Sequence, residues 1–106
     1  MPKTSNENLR IPPNNVDAER SVLGALMLDK DAIIKVANLI RQGDFYKDIH
    51  NMIYEAMVEL YEKRDPIDVL SLSNRLEEKG QLDKIGGSSY LTSLVNFVPS
   101  SSNTVH

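Results

Sequence analysis

The chain has 106 residues, 41% of them hydrophobic and 25% charged, with a formal net charge of −3 and no cysteine. That length holds one domain plus tails. The absence of cysteine excludes disulfide staples and cysteine-ligated metals, and no apolar run approaches the ~18 residues of a membrane span. The acidic balance argues against a main phosphate-binding surface, which needs clustered Lys and Arg, and leaves protein partners open.

Residues 1–13 are polar and end in Ile11-Pro12-Pro13. They predict a mobile N-terminal arm with an extended Pro pair at the domain edge. No apolar stretch in the first ten residues suggests a signal peptide, and zero cysteines fit a reducing cytosol. A helical domain is expected over 14–99. Its first helix starts near Asn15 or Asp17, either of which can cap, and lines one face with Val22, Leu23 and Leu26. Glu19 projects near the middle of that face. It is either a first-turn acid at the helix end or a buried partner for an Arg. Gly24 sits mid-helix, at a cost of roughly 1 kcal/mol against Ala, which close helix packing would justify. A second helix, capped by Asp31, carries Ile33, Val36, Ala37 and Ile40 and should end at Gly43. Phe45 in the tight connection that follows is expected to plug the core.

The stretch Asp48 to Lys63 predicts a central helix. At about 100° per residue, Ile49, Ile53, Ala56, Met57 and Leu60 fall on one stripe. Met52 widens that stripe on one side, and Tyr54, Val58 and Tyr61 widen it on the other. Only Asp48, Asn51, Glu55, Glu59, Glu62 and Lys63 are left for water. An arc this wide exceeds that of an ordinary surface helix, so neighbours are expected on more than one side. After the turn at Pro66, Asp68 caps a helix with Val69, Leu72 and Leu76 inward, closed by Gly80. Leu82 and Ile85 lie in a loop that should fold back onto the core. Ser88 or Ser89 caps the last helix, with Tyr90, Leu91, Leu94 and Val95 apolar. Residues 100–106 read as the start of a truncated helical hairpin or linker. Alternation never persists, so the class is all-α: a compact bundle of about five to six helices around a central one.

Catalytic and cofactor patterns are not found. Gly86-Gly87 lacks phosphate-loop spacing, His50 and His106 form no metal-ligand pair, and the acid pairs suit helix caps. The two helices around Gly80–Gly87 have the outline of a helix-turn-helix. The second holds no Arg or Lys to read bases, so a packing pair is the reading. No catalytic, cofactor-binding or metal site is expected in this segment.

The order of motifs goes further. Ile11-Pro12-Pro13, Asp17-Ala18-Glu19-Arg20-Ser21-Val22-Leu23-Gly24, Asp44-Phe45-Tyr46 with His50, Pro66-Ile67-Asp68, Leu82 to Leu91, Val98-Pro99 and Asn103 together resemble the N-terminal domain of the bacterial replicative DNA helicase (DnaB-type) family. Arg20 stands where that family commonly has Gln, and Ser100-Ser101-Ser102 where it commonly has Thr-Ala-Ala. The resemblance implies a hexameric parent that unwinds DNA 5′ to 3′ at the fork in the bacterial cytoplasm. ATP and Mg would be held by a motor domain beyond this segment. The segment itself would serve ring assembly and primase docking, with little direct DNA contact and no membrane. Tyr90 and Leu94, with the exposed Glu77, Glu78 and Lys79 nearby, are the candidate docking residues, since interaction patches join apolar anchors to a polar rim. Tyr90 and Leu94 can equally be core. The competing reading is a free-standing helical adaptor.

Overall fold

The computed structural model describes residues 15–98. The expected arm at 1–13 and the expected hairpin start at 100–106 lie outside the described residues. Six helices follow one another: α1 Val16–Leu28, α2 Ala32–Val36, α3 Asp48–Glu62, α4 Val69–Glu78, α5 Leu82–Ile85 and α6 Gly87–Phe97. No strand occurs among the described residues. The architecture is therefore the all-α bundle that the periodicity predicts.

The wide apolar arc makes α3 the centre. Ile53, Tyr54, Ala56, Met57 and Leu60 are buried, and α1, α4 and α5 all pack against this helix. Phe45 fills the space beside it, with its ring 5.3 Å from that of Tyr54. Two positions on α3 differ from the helical-wheel reading. Tyr61, in the last turn, is 41% exposed. Asn51 does not face water alone. Its Oδ1 accepts from the Gly43 and Phe45 amides at 3.1 and 3.0 Å, and its Nδ2 donates to the Phe45 carbonyl.

Those bonds explain a shift at α2. The helix ends at Val36, not at Gly43. Turn-type bonds carry the chain on to Ile40, and there the Tyr54 hydroxyl donates to the Ile40 carbonyl at 2.7 Å. Asp44 also accepts from the Arg41 amide. Side chains of α3 and the loop thus hold the backbone of 40–45 in place of continued helix. Gly43, with φ 94°, shapes this turn and does not cap α2.

The caps follow local chemistry. Asn15 Oδ1 accepts from the Ala18 amide, and Asp68 Oδ1 from the Ser71 amide. Asp31 makes no cap bond; its own amide instead donates to Asp29. Leu82–Ile85, expected as loop, forms one helical turn, and Ile85 is buried in the core. Neither Ser88 nor Ser89 caps α6, whose N-cap is Gly86. The Ser88 hydroxyl instead meets that of Ser73 on α4 at 2.7 Å.

Gly24 does what its mid-helix position predicts. A Cβ there would lie 2.2 Å from the Leu94 carbonyl oxygen and 2.3 Å from Val98 Cγ2. α1 and α6 touch backbone to backbone at that point, and only a residue without Cβ admits the contact.

Candidate functional site

Most polar side chains of the bundle sit at its rim. Glu19 and His50 are the charged-type exceptions: Glu19 is 1% and His50 0% exposed. α1 carries Glu19 in its first turn, facing inward, and α3 carries His50 in its first. The Glu19 carboxylate accepts from the Tyr46 amide, from the Lys47 amide at 3.4 Å, and from His50 Nδ1 at 2.7 Å. Lys47 is the N-cap of α3 and gives it no side-chain cap. Glu19 therefore supplies, from another helix, the anion that the N-terminal end of α3 favours.

The chain continues outward. His50 Nε2 lies 2.6 Å from the Tyr90 hydroxyl on α6, and the two rings stack with centroids 5.9 Å apart and planes 14° from parallel. Phe45 meets the imidazole edge-on at 6.3 Å. Burial pushes the His50 pKa below its ordinary value. Its hydrogen bond and charge interaction with Glu19 oppose that push without overcoming it, while Lys47 and Arg20 add to it. The imidazole is thus neutral near pH 7. A carboxylate only accepts, so the ring proton sits on Nδ1, and Nε2 accepts from the Tyr90 hydroxyl. Every buried polar atom in this row has a partner. The row joins α1, the turn before α3, α3 itself and α6.

The partner of Glu19 is therefore a histidine and two backbone amides, not an arginine. The neighbouring Arg20 turns elsewhere. It pairs with Asp17 at 3.5 Å and lies over the Phe97 ring, 5.6 Å from its centroid. The signal was present in the sequence as a charge in the middle of an apolar face. Its counterpart could not be picked out from spacing, because His50 is 31 residues away and Tyr90 another 40.

The five candidate docking residues separate. Leu94 is fully buried in the core, so it offers no surface to a partner in this structure. Tyr90 is half-buried and engaged with His50. Glu77 and Glu78 are exposed, and Glu78 pairs with Arg75 at 3.1 Å. Lys79, expected to be exposed, is instead drawn inward to both carboxylate oxygens of Glu59 at 3.1 Å and to Glu55 at 3.4 Å. Arg75 Nε also donates to Glu59, at 2.8 Å. Burial alone would raise the Glu59 pKa, but the hydrogen bonds from Arg75 and Lys79 outweigh it and hold the carboxyl below its ordinary range. This ion network ties α3 to α4. No described hydrogen bond or ion pair links it to Tyr90.

A family model described as the DnaB-like helicase N terminal domain matches residues 11–106. The chain is 42% identical over 94 residues to the replicative DNA helicase DnaB of Mycobacterium leprae, covering 89% of this chain and 16% of that protein. It is 38% identical over 96 residues to the replicative DNA helicase DnaC of Bacillus subtilis, covering 91% of this chain and 21% of that protein. The chain thus spans about a fifth of the length of the curated relatives it matches. The crystal structure of the N-terminal domain of DnaB helicase from Mycobacterium tuberculosis superposes with a TM-score of 0.80 at 41% identity. That match covers 88% of this chain and 66% of that one.

Proposed function

The chain belongs to the DnaB-like helicase N-terminal domain family, and from that membership we propose that it is the collar segment of a hexameric replicative helicase in the bacterial cytoplasm. ATP-driven unwinding at the fork is assigned to the parent protein, whose motor lies outside this segment. The segment contributes to ring assembly and docks primase. The observation that carries the reading is the family match across residues 11–106, joined to a fold that superposes on a helicase N-terminal domain. The mechanism is a scaffold. Primase held at the collar is kept at high effective concentration beside the template without new chemistry. Geometry supports a rigid support for such docking, because the Glu19–His50–Tyr90 row and the Glu59 network fix α6 and α4 on the central helix.

Calorimetric titration of the 106-residue chain with the C-terminal domain of the cognate primase tests this. Saturable heat at micromolar concentration is the expected outcome. Silence here, and again with a longer chain that includes the residues following His106, overturns the docking role.

A further inference from the structure

The row from Glu19 to Tyr90 has one feature that a purely structural network does not need. Its middle member can change its own donor count. With a neutral ring, Nδ1 donates to Glu19 and Nε2 accepts from Tyr90. With an imidazolium, both ring nitrogens donate.

We propose that the Glu19–His50–Tyr90 chain is a proton-operated donor–acceptor switch on α6: one proton taken from solvent onto His50 Nε2 reverses the bond to Tyr90 and turns the hydroxyl proton of Tyr90 out of the network. Three observations of geometry carry it. The Nε2 to hydroxyl distance of 2.6 Å leaves room for a single proton between the two atoms. Glu19 fixes the other end of the ring, so the imidazole cannot answer protonation by exchanging tautomers. Tyr90 is half-buried while His50 is fully enclosed, so the only member of the row that faces outward is the one whose hydroxyl reverses. The groups that act on the imidazole are Glu19 and Arg20 from α1, Lys47 from the turn before α3, and Tyr90 from α6. Glu19 favours the imidazolium. Burial, Lys47 and Arg20 oppose it, which sets the resting state as neutral and the switched state on the acid side.

The switch stands independently of the docking reading. Its consequence is local: away from His50 the Tyr90 hydroxyl offers lone pairs in one state and its proton in the other.

The test is an NMR titration of the 106-residue chain, following the ring nitrogens of His50 and the Cζ shift of Tyr90. At neutral pH His50 is expected as the Nδ1–H tautomer. On acidification its nitrogens and Tyr90 Cζ should move with one shared midpoint below the ordinary histidine value. Tyr90→Phe removes the partner of Nε2 in both states, and the loss weighs more on the imidazolium, whose charge-assisted bond is the stronger, so it should shift that midpoint further downward. Glu19→Gln removes the anion and should shift it downward. A row in which the Tyr90 bond does not reverse leaves the Tyr90 Cζ shift unmoved at the His50 midpoint. An Nε2–H tautomer at neutral pH overturns the proposal, as does a Tyr90→Phe midpoint that is unchanged or raised. Failure of His50 to titrate before the chain unfolds also overturns it. If Glu19→Gln does not fold, the wild-type titration and Tyr90→Phe still decide.

Discussion

Glu19 is the residue with the most depending on it. Three N–H groups point at its carboxylate, the His50 one fully buried and the Tyr46 and Lys47 amides part-buried. Removing the acceptor leaves the His50 donor buried and unpaired, at about 1–3 kcal/mol, with a smaller cost from the two part-buried amides. Glu19→Ala is expected to cost roughly 2–4 kcal/mol in total. Urea unfolding should show this as a fall in midpoint at unchanged slope. Glu19→Gln keeps one carbonyl acceptor and should lose less. The same cluster gives a pH dependence with a definite sign. Folding lowers the His50 pKa below its ordinary value of 6.5, so below that pH the unfolded chain holds more protons than the folded one. Stability is therefore complete above about pH 6.5 and declines as pH falls through the folded value. Glu59, also lowered on folding, adds a second decline below its ordinary 4.5. Denaturation followed from pH 8 to 2.5 checks both, and a His50→Gln chain that folds should lack the first decline only.

Among the elements, helix ends and crossings give the clearest contrasts. α3 closes in a paired arrangement: the Arg64 amide donates to the Tyr61 carbonyl at 3.0 Å and the Asp65 amide to the Leu60 carbonyl at 2.8 Å. That geometry needs a left-handed residue, usually Gly, yet Arg64 occupies it with φ 63°. α4 closes the same way with Gly80 at φ 72°. Arg64→Gly should therefore stabilise the chain by about 0.5–1 kcal/mol, the strain relieved less the entropy that Gly adds to the unfolded state. Gly24→Ala works in the opposite direction. Its helical backbone would welcome Ala, but the Cβ would collide with the Leu94 carbonyl and Val98. Overpacking of this kind costs about 1–3 kcal/mol, so thermal melting should fall clearly. The contrast also shows what was legible in the sequence. Gly24, Gly80 and the Asp68 cap could be read because each acts through local or periodic chemistry. The early end of α2 could not, because Asn51 and Tyr54 settle it from another helix. The helical turn Leu82–Ile85 is too short to show a period, and its burial was readable only from the apolar identity of Leu82 and Ile85. At the candidate site, Tyr90 and Glu19 stood out by type and position. Their connection through His50 needed the fold.

For the molecule as a whole, the partition of the five candidate docking residues decides how docking must be tested. Leu94→Ala would remove a buried side chain at a cost of about 2–5 kcal/mol, so loss of binding by that variant would report unfolding. Tyr90→Ala would break the row to His50 and confound the same two effects. Glu77 and Glu78 are exposed, and the Glu78–Arg75 pair sits at the surface, where such pairs contribute little. The double variant Glu77→Ala/Glu78→Ala should melt with the parent chain, and that equality is the control. If the end of α4 forms the polar rim of the docking patch, the variant should bind primase roughly two- to fivefold more weakly. The loss should appear mainly in the association rate and shrink in high salt, as rim charges behave. Unchanged affinity and salt dependence would remove the end of α4 from the patch. A parallel Tyr90→Phe chain keeps the ring and loses the hydroxyl. Together the two variants separate a patch centred on α6 from one that reaches across to α4, using surfaces that the core does not need.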